Sequence, residues 1–320
     1  MATLLAGAPL PGEAQPVGTL HRIGVLDTAA EAANQANLDA FREGLRVLGR
    51  IERQHYVIEY RSADGRAERF PDLARELVRL QVDVIVTGGT SAALAARHAT
   101  ATVPIVMASS GDPVFAGLVA SLARPGGNVT GLYLGVPPAL AGDRLRLLKE
   151  LLPGLSRVGV FMDSGDAYAL LAMPEIEKAA RAMRMQVHNV GARRPAGLDR
   201  AFETALLDGV VEALLVVEGP LTVADLPRIV DFAAMSRLPA VYGLREFADA
   251  GGLMAYGPDP SDLFRRAATY VHRILEGARP ADLPVEPPTK LALVINLRTA
   301  ERLGLTIPPS LLRRADYLVQ

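Results

Sequence analysis

At 320 residues, half of them apolar, the chain is long enough to form two ordinary domains and bury a core in each. Its 34 Lys and Arg against 35 Asp and Glu leave a formal charge of −1 with no block of like charge, which excludes the basic face a nucleic-acid partner requires. There is no cysteine, so disulfides, thiol nucleophiles and thiolate zinc sites are excluded as well.

The opening "MATLLAGAPLPGEAQPVG" carries no Lys or Arg and one short apolar run. It then reaches Gly12-Glu13-Ala14, with small residues where a leader peptidase would need them. It reads as the remnant of a secretory signal whose basic start is missing, or as a disordered leader. Nothing later approaches the ~18 apolar residues of a membrane span. "RIGVLDT" (Arg22–Thr28) is a buried strand, and Asn34–Leu48 is an amphipathic helix with Leu38, Phe41, Leu45 and Leu48 on one face. "YVIEY" (Tyr56–Tyr60) is the next strand. A helix from Arg66 then aligns Phe70, Leu73, Leu77 and Leu80. Val82–Thr87 is a strand, Ser91–His98 a short helix and Ile105–Ala108 a strand. Near-continuous Val/Ile runs alternating with helices describe a parallel sheet covered on both faces.

The pattern then restarts. "RVGVFMDS" (Arg157–Ser164) echoes "RIGVLDT", and "VEALLVVEG" (Val211–Gly219) echoes "VDVIVTG", at similar offsets. This predicts two α/β units laid end to end. Between them Pro125, Gly126 and Gly127 break the helix and Asn128–Leu134 runs extended, as a hinge or as a plain surface loop. Gly251–Asp259 is a strand and Leu263–Leu275 a helix. A Pro-rich connector leads into a last strand, Leu291–Ile295. The expected division is a leader at 1–18, a first lobe of 19–128 plus 254–285, and a second of 129–253 plus 286–320.

Ligands of open parallel sheets bind beyond the carboxyl ends of the strands, where helix N-termini present free N–H groups. The residues at those ends are Asp27-Thr28, Gly88-Gly89-Thr90-Ser91, Ser109-Ser110-Gly111-Asp112, Asp163-Ser164, Glu218-Gly219 and Tyr242-Gly243. Hydroxyls and glycines dominate the first lobe and suit a carboxylate, while acidic groups in the second suit an ammonium. Together they fit an amino acid. Each group also has a plainer role: Thr90 or Ser91 as a helix cap, Asp27 or Asp163 as a cap, Asp112-Pro113 as a turn.

Gly89-Thr90-Ser91-Ala92-Ala93 occupies the place of a nucleophile elbow, but Ala replaces its final Gly and no oxyanion segment precedes it. His98 lies about two turns further along the helix that Ser91 opens, too near to reach round to it. A Ser91 hydrolase stands as the alternative. There is no phosphate-binding glycine motif and no histidine pair at metal-ligand spacing, so no catalytic residue, metal or cofactor is expected.

"DPVFAGLVASLARPGGNVTGLYLG", "RLRLLKELLPGLSRVGVF", "GGLMAYGPD" and "LPVEPPTKLALVINLRTAERLGLTIPPSLLRRAD" closely resemble the extracytoplasmic solute-binding proteins of ABC importers of the TrpX-like, tryptophan/tyrosine-binding type. The resemblance runs from Arg22 to Asp316. It implies a type I periplasmic-binding-protein fold: two Rossmann-like lobes, three crossovers, and closure on a ligand in the interlobe cleft. It implies an aromatic amino acid or related carboxylate as ligand, ABC permease subunits as partners, a periplasmic location and a monomer. Carried over by position, Thr90, Ser91 and Ser109 would bind the ligand carboxylate, with Asp112 beside them. There is no Trp to stack on a ligand, and Tyr133, Tyr242 and Tyr256 are the tyrosines expected near the cleft. A sensory module of the same fold is a further alternative.

Overall fold

The computed structural model describes residues 20–192, 197–207 and 211–320; the leader expected at 1–18 lies outside them. The chain divides into two compact units. One takes the chain up to Ala108 with Pro113–Gly131 and Phe264–Pro284. The other takes Ser109–Asp112, Leu132–Leu263 and Val285–Gln320.

In the first unit β1 (His21–Asp27), β2 (Tyr56–Ser62), β3 (Val84–Gly88), β4 (Ile105–Ser109) and β5 (Val129–Gly131) form a sheet of order β2-β1-β3-β4-β5. β1 runs parallel to β2 and β3, and β5 parallel to β4. The helical spacing anticipated in α1 (Gln35–Val47) buries Leu38, Phe41 and Leu45, and α2 (Phe70–Arg79) buries Phe70 and Leu77. α3 (Thr90–Ala99) buries a face of alanines, which lets it sit close to its neighbours.

The second unit repeats the winding. β6 (Arg157–Phe161), β7 (Gln186–Asn189), β8 (Ala213–Val216), β9 (Ala240–Tyr242) and β10 (Met254–Pro258) take the order β7-β6-β8-β9-β10, and β11 (Leu291–Asn296) and β12 (Tyr317–Val319) extend it beyond β10. The two orders are the same doubly wound sequence, which confirms the internal repeat read from "RIGVLDT" and "RVGVFMDS". Gly24 and Gly159, at matching positions of those strands, both face neighbours that leave little room for a Cβ: Leu77 at 3.1 Å and Leu214 at 3.0 Å. One face of the second sheet carries α4 (Ala139–Leu151) and α5 (Ala167–Ala182), with Leu145, Leu148 and Ile176 in the core. The other carries α6 (Leu198–Leu206) and α8 (Leu226–Met235), with short α7 (Pro220–Ala224) between them in sequence, in the connection that follows β8. There Phe161, Phe202 and Phe232 stack with centroids 5.6 and 4.2 Å apart.

The expected lobe boundaries shift at two strands. Residues 129–131 pair with β4 and belong to the first sheet. Residues 254–258 pair with β9 and β11 and belong to the second. β11, expected to be the last strand, runs antiparallel to β10 and is followed by β12. β12 is anchored by Asp259, which is almost fully buried. The Asp259 carboxylate accepts Lys290 Nζ at 2.8 Å and the Tyr317 hydroxyl at 3.2 Å. Burial works against its charge, but Lys290 outweighs that effect and holds the carboxyl below its ordinary range.

The glycines of the PGGNVTG segment differ in what they permit. Gly126 has φ +80° but room for a Cβ, which would meet Ala120 Cβ in ordinary contact at 3.6 Å. Gly131 has φ +122° and would put a Cβ 2.6 Å from Met107 N. Gly126→Ala should therefore cost about 1–2 kcal/mol of folding free energy, and Gly131→Ala about 3 kcal/mol or more. Urea unfolding of the two variants checks this, and equal losses would contradict it.

Candidate functional site

In each unit the strand order reverses beside the first strand of its repeat, between β1 and β3 and between β6 and β8. In doubly wound sheets that reversal opens the crevice where ligands enter.

At the first reversal Asp27 closes β1. Its Oδ1 accepts the Ala29 N–H at 2.9 Å and its Oδ2 accepts Asn34 Nδ2 at 3.1 Å. The carboxylate overlies Gly88 so closely that any Cβ there would overlap Oδ2. The Tyr60 hydroxyl takes a hydrogen bond from Asn34 Nδ2 at 3.2 Å and donates to the Ala29 carbonyl at 2.7 Å. Burial, with the Asp27 charge second, pushes its pKa up and keeps it a donor. Asp27 thus braces the strand end, while Thr28 beside it is exposed and gives its carbonyl to Gly65 N.

Across this reversal α3 begins. The expected side-chain cap from Thr90 or Ser91 is not made: the cap position is Gly89, at φ +94°, and no side chain caps the helix. A glycine is needed there because the chain turns through the left-handed region between strand and helix. Thr90 and Ser91 instead form the first turn, Thr90 half-buried and Ser91 exposed, where helix N–H groups favour an anion. Ser109 closes β4 half-buried. Ser110 is fully buried and its carbonyl accepts Leu134 N at 2.6 Å, while Asp112 is exposed.

At the second reversal Asp163 Oδ1 accepts Gly165 N at 2.8 Å. Ser164 is exposed, with its N–H on the Ala192 carbonyl at 2.9 Å. Asp166 caps α5 by accepting Ala169 N at 3.0 Å. Glu218, expected to be an acid open to the ligand, is already engaged. Arg144 reaches it from α4 with both terminal nitrogens, at 2.5 and 2.8 Å, and gives Nε to the Tyr256 carbonyl at 2.7 Å. Burial opposes the Arg144 charge most strongly of any one cause, yet Glu218 and Tyr168 together offset it and the guanidinium pKa rises. Tyr168 lies beside the pair, and burial together with the Glu218 charge pushes its pKa up.

The tyrosines part company. Tyr133 is half-buried with its ring filling the space that Gly135 leaves. Tyr256 is half-buried against the core and contributes its carbonyl to Arg144. Tyr242 is wholly buried, stacked on Phe247 at 4.8 Å within the core of the second unit. Alternation along β9 explains this, since Ala240 and Tyr242 share the face covered by α8. Arg144 is the residue missed outright. Among the described residues no group of three or more His, Asp or Glu is placed to hold a metal ion.

The profile of the ABC transporter substrate binding protein family matches residues 22–319. The chain belongs to that family. It is 27% identical over 267 residues to the tyrosine-binding protein of Clostridioides difficile (strain R20291), a match covering 83% of this chain and 75% of that one. Among solved structures it is similar to the Streptococcus pneumoniae ABC domain in complex with L-Trp, with 26% identity and a TM-score of 0.72. That match covers 94% of this chain and 100% of the other. It is also similar to a conserved domain protein of Vibrio cholerae, with 28% identity, a TM-score of 0.71 and the same coverage. The fold is that of type I periplasmic binding proteins and the chain is a solute-binding receptor; nothing in these relatives supports the Ser91 hydrolase.

Breaking the buried pair from one side strands a charge. Arg144→Met should cost about 3–5 kcal/mol, and adding Glu218→Met should restore much of that loss. Denaturant melts of the single and double variants decide it, and a double variant no more stable than the single would contradict it.

Proposed function

We propose that the chain is the receptor of an ABC importer for an aromatic L-amino acid. The support that carries this reading is the match over nearly the whole chain to a family with a tyrosine-binding member and a solved relative holding L-Trp. The two strand-end sets agree with it chemically. The first offers the uncapped start of α3 with Thr90 and Ser91, suited to a carboxylate. The second offers Asp163, Asp166 and Glu218, suited to an ammonium. No covalent step is required.

The receptor would hand its ligand to permease subunits outside the cytoplasmic membrane. Among the described residues no helix is long and apolar enough to cross a membrane. A leader within 1–18 would then be the export signal.

Calorimetry with L-tryptophan, L-tyrosine, tryptamine and D-arabinose tests the ligand class. The two amino acids should bind, while the amine without a carboxylate and the sugar should not. Ser91→Ala should weaken amino-acid binding by about 1.5–3 kcal/mol, the worth of a hydrogen bond to a charged group, and leave folding near wild type. Binding of arabinose in place of the amino acids, or unchanged affinity in Ser91→Ala, would contradict this assignment.

A further inference from the structure

Arg144 is the one large charged side chain among the largest fully buried residues, and it faces a sheet where a leucine would cost less. Its exposure is 0% while that of the Glu218 side chain is 15%, so the pair meets solvent only from the glutamate side, its wet side. A carboxylate gripped through one lone pair on each oxygen keeps a second lone pair on each, of which the Tyr168 hydroxyl beside the pair can take one and a ligand the other. The walls leave it no other place. A Cβ on Gly243 would lie 2.5 Å from Glu218 Cδ and 2.9 Å from Arg144 Cζ, and one on Gly257 would overlap the Gly243 carbonyl. The Tyr256 carbonyl fixes the guanidinium from the β10 side. Three strand ends and one helix therefore converge to hold a single carboxylate at the β6/β8 reversal.

We infer that Arg144 is a positioning residue for recognition of the ligand's ammonium group: it does not touch the ligand, but locks Glu218 so that its wet side accepts the N–H donors. The inference rests on the amino-acid reading above and deepens it. Arg144 cancels the Glu218 charge, so attraction for the cation is left to Asp163 and to Asp166, whose Cγ lies 3.5 Å from where a Gly219 Cβ would be. Glu218 contributes direction rather than net charge. Planar two-point grip is what a lysine at 144 cannot supply, although it would keep the positive charge.

Calorimetry on the full chain with L-tryptophan and with indole-3-propionate, which lacks only the amine, reads the effect directly. Wild type should prefer the amino acid by about tenfold or more. Arg144→Lys should shrink that preference about tenfold and leave affinity for indole-3-propionate within about threefold. Gly243→Ala crowds both partners of the pair, should act in the same way by displacing Glu218, and serves if Arg144→Lys does not fold. A preference unchanged in either folded variant overturns the inference, whatever happens to stability, because loosened packing alone weakens both probes together. Equal binding of both probes by wild type overturns it while leaving a receptor for aromatic carboxylates. Binding of neither probe overturns the amino-acid reading and the inference with it.

Discussion

A guanidinium withdrawn from water has to be matched by charge and hydrogen bonds in place, and in the second unit this requirement organises the strand ends around Arg144. Its demands are met by Glu218 at the end of β8 and by a carbonyl of β10, with space cleared by glycines at the end of β9 and within β10. Replacing any one of these leaves another with a buried, unpaired group. The first unit solves a related problem without a cation. Asp27 there is satisfied by a backbone N–H and by Asn34, and it too occupies the space over a glycine, Gly88. Both units thus use a missing Cβ to seat a carboxylate at the strand-order reversal.

The shared winding places the two reversals, and the side chains there give them different characters. Beside Asp27 the chain enters α3 through a left-handed glycine and leaves that helix start without a side-chain cap, an environment for negative charge. Beside Glu218 the next helix to receive a cap, α5, takes it from Asp166, so carboxylates collect there. One winding thus carries two different sets of strand-end side chains, a helix start without a side-chain cap in the first unit and carboxylates in the second.

Much of this was legible in the chain. Long Val/Ile runs announced β1, β3 and β4, and the repeated RIGV and RVGV segments announced the second unit. The lobe boundaries were not legible to within a strand. β5 and β10 are short, and which sheet they join is settled by pairing partners distant in sequence. The antiparallel turn of β11 against β10 carries no local signature, because a buried strand reads alike in either direction. Arg144 was invisible for a different reason. In RLRLLKELL it looks like Arg146 and Lys149, and only the helix's packing shows that it faces inward. The burial of Tyr242 was not legible because closeness to a strand end says nothing about which face a side chain takes, nor was the pairing of Glu218, because its partner lies 74 residues away.

The identity of the bound molecule decides between an amino-acid receptor and any other. Mass spectrometry of the small molecules released on denaturing protein purified without added ligand tests it most directly. L-tryptophan or L-tyrosine at close to one equivalent per chain is the predicted result. A stoichiometric sugar, or any ligand with neither carboxylate nor amine, would contradict it.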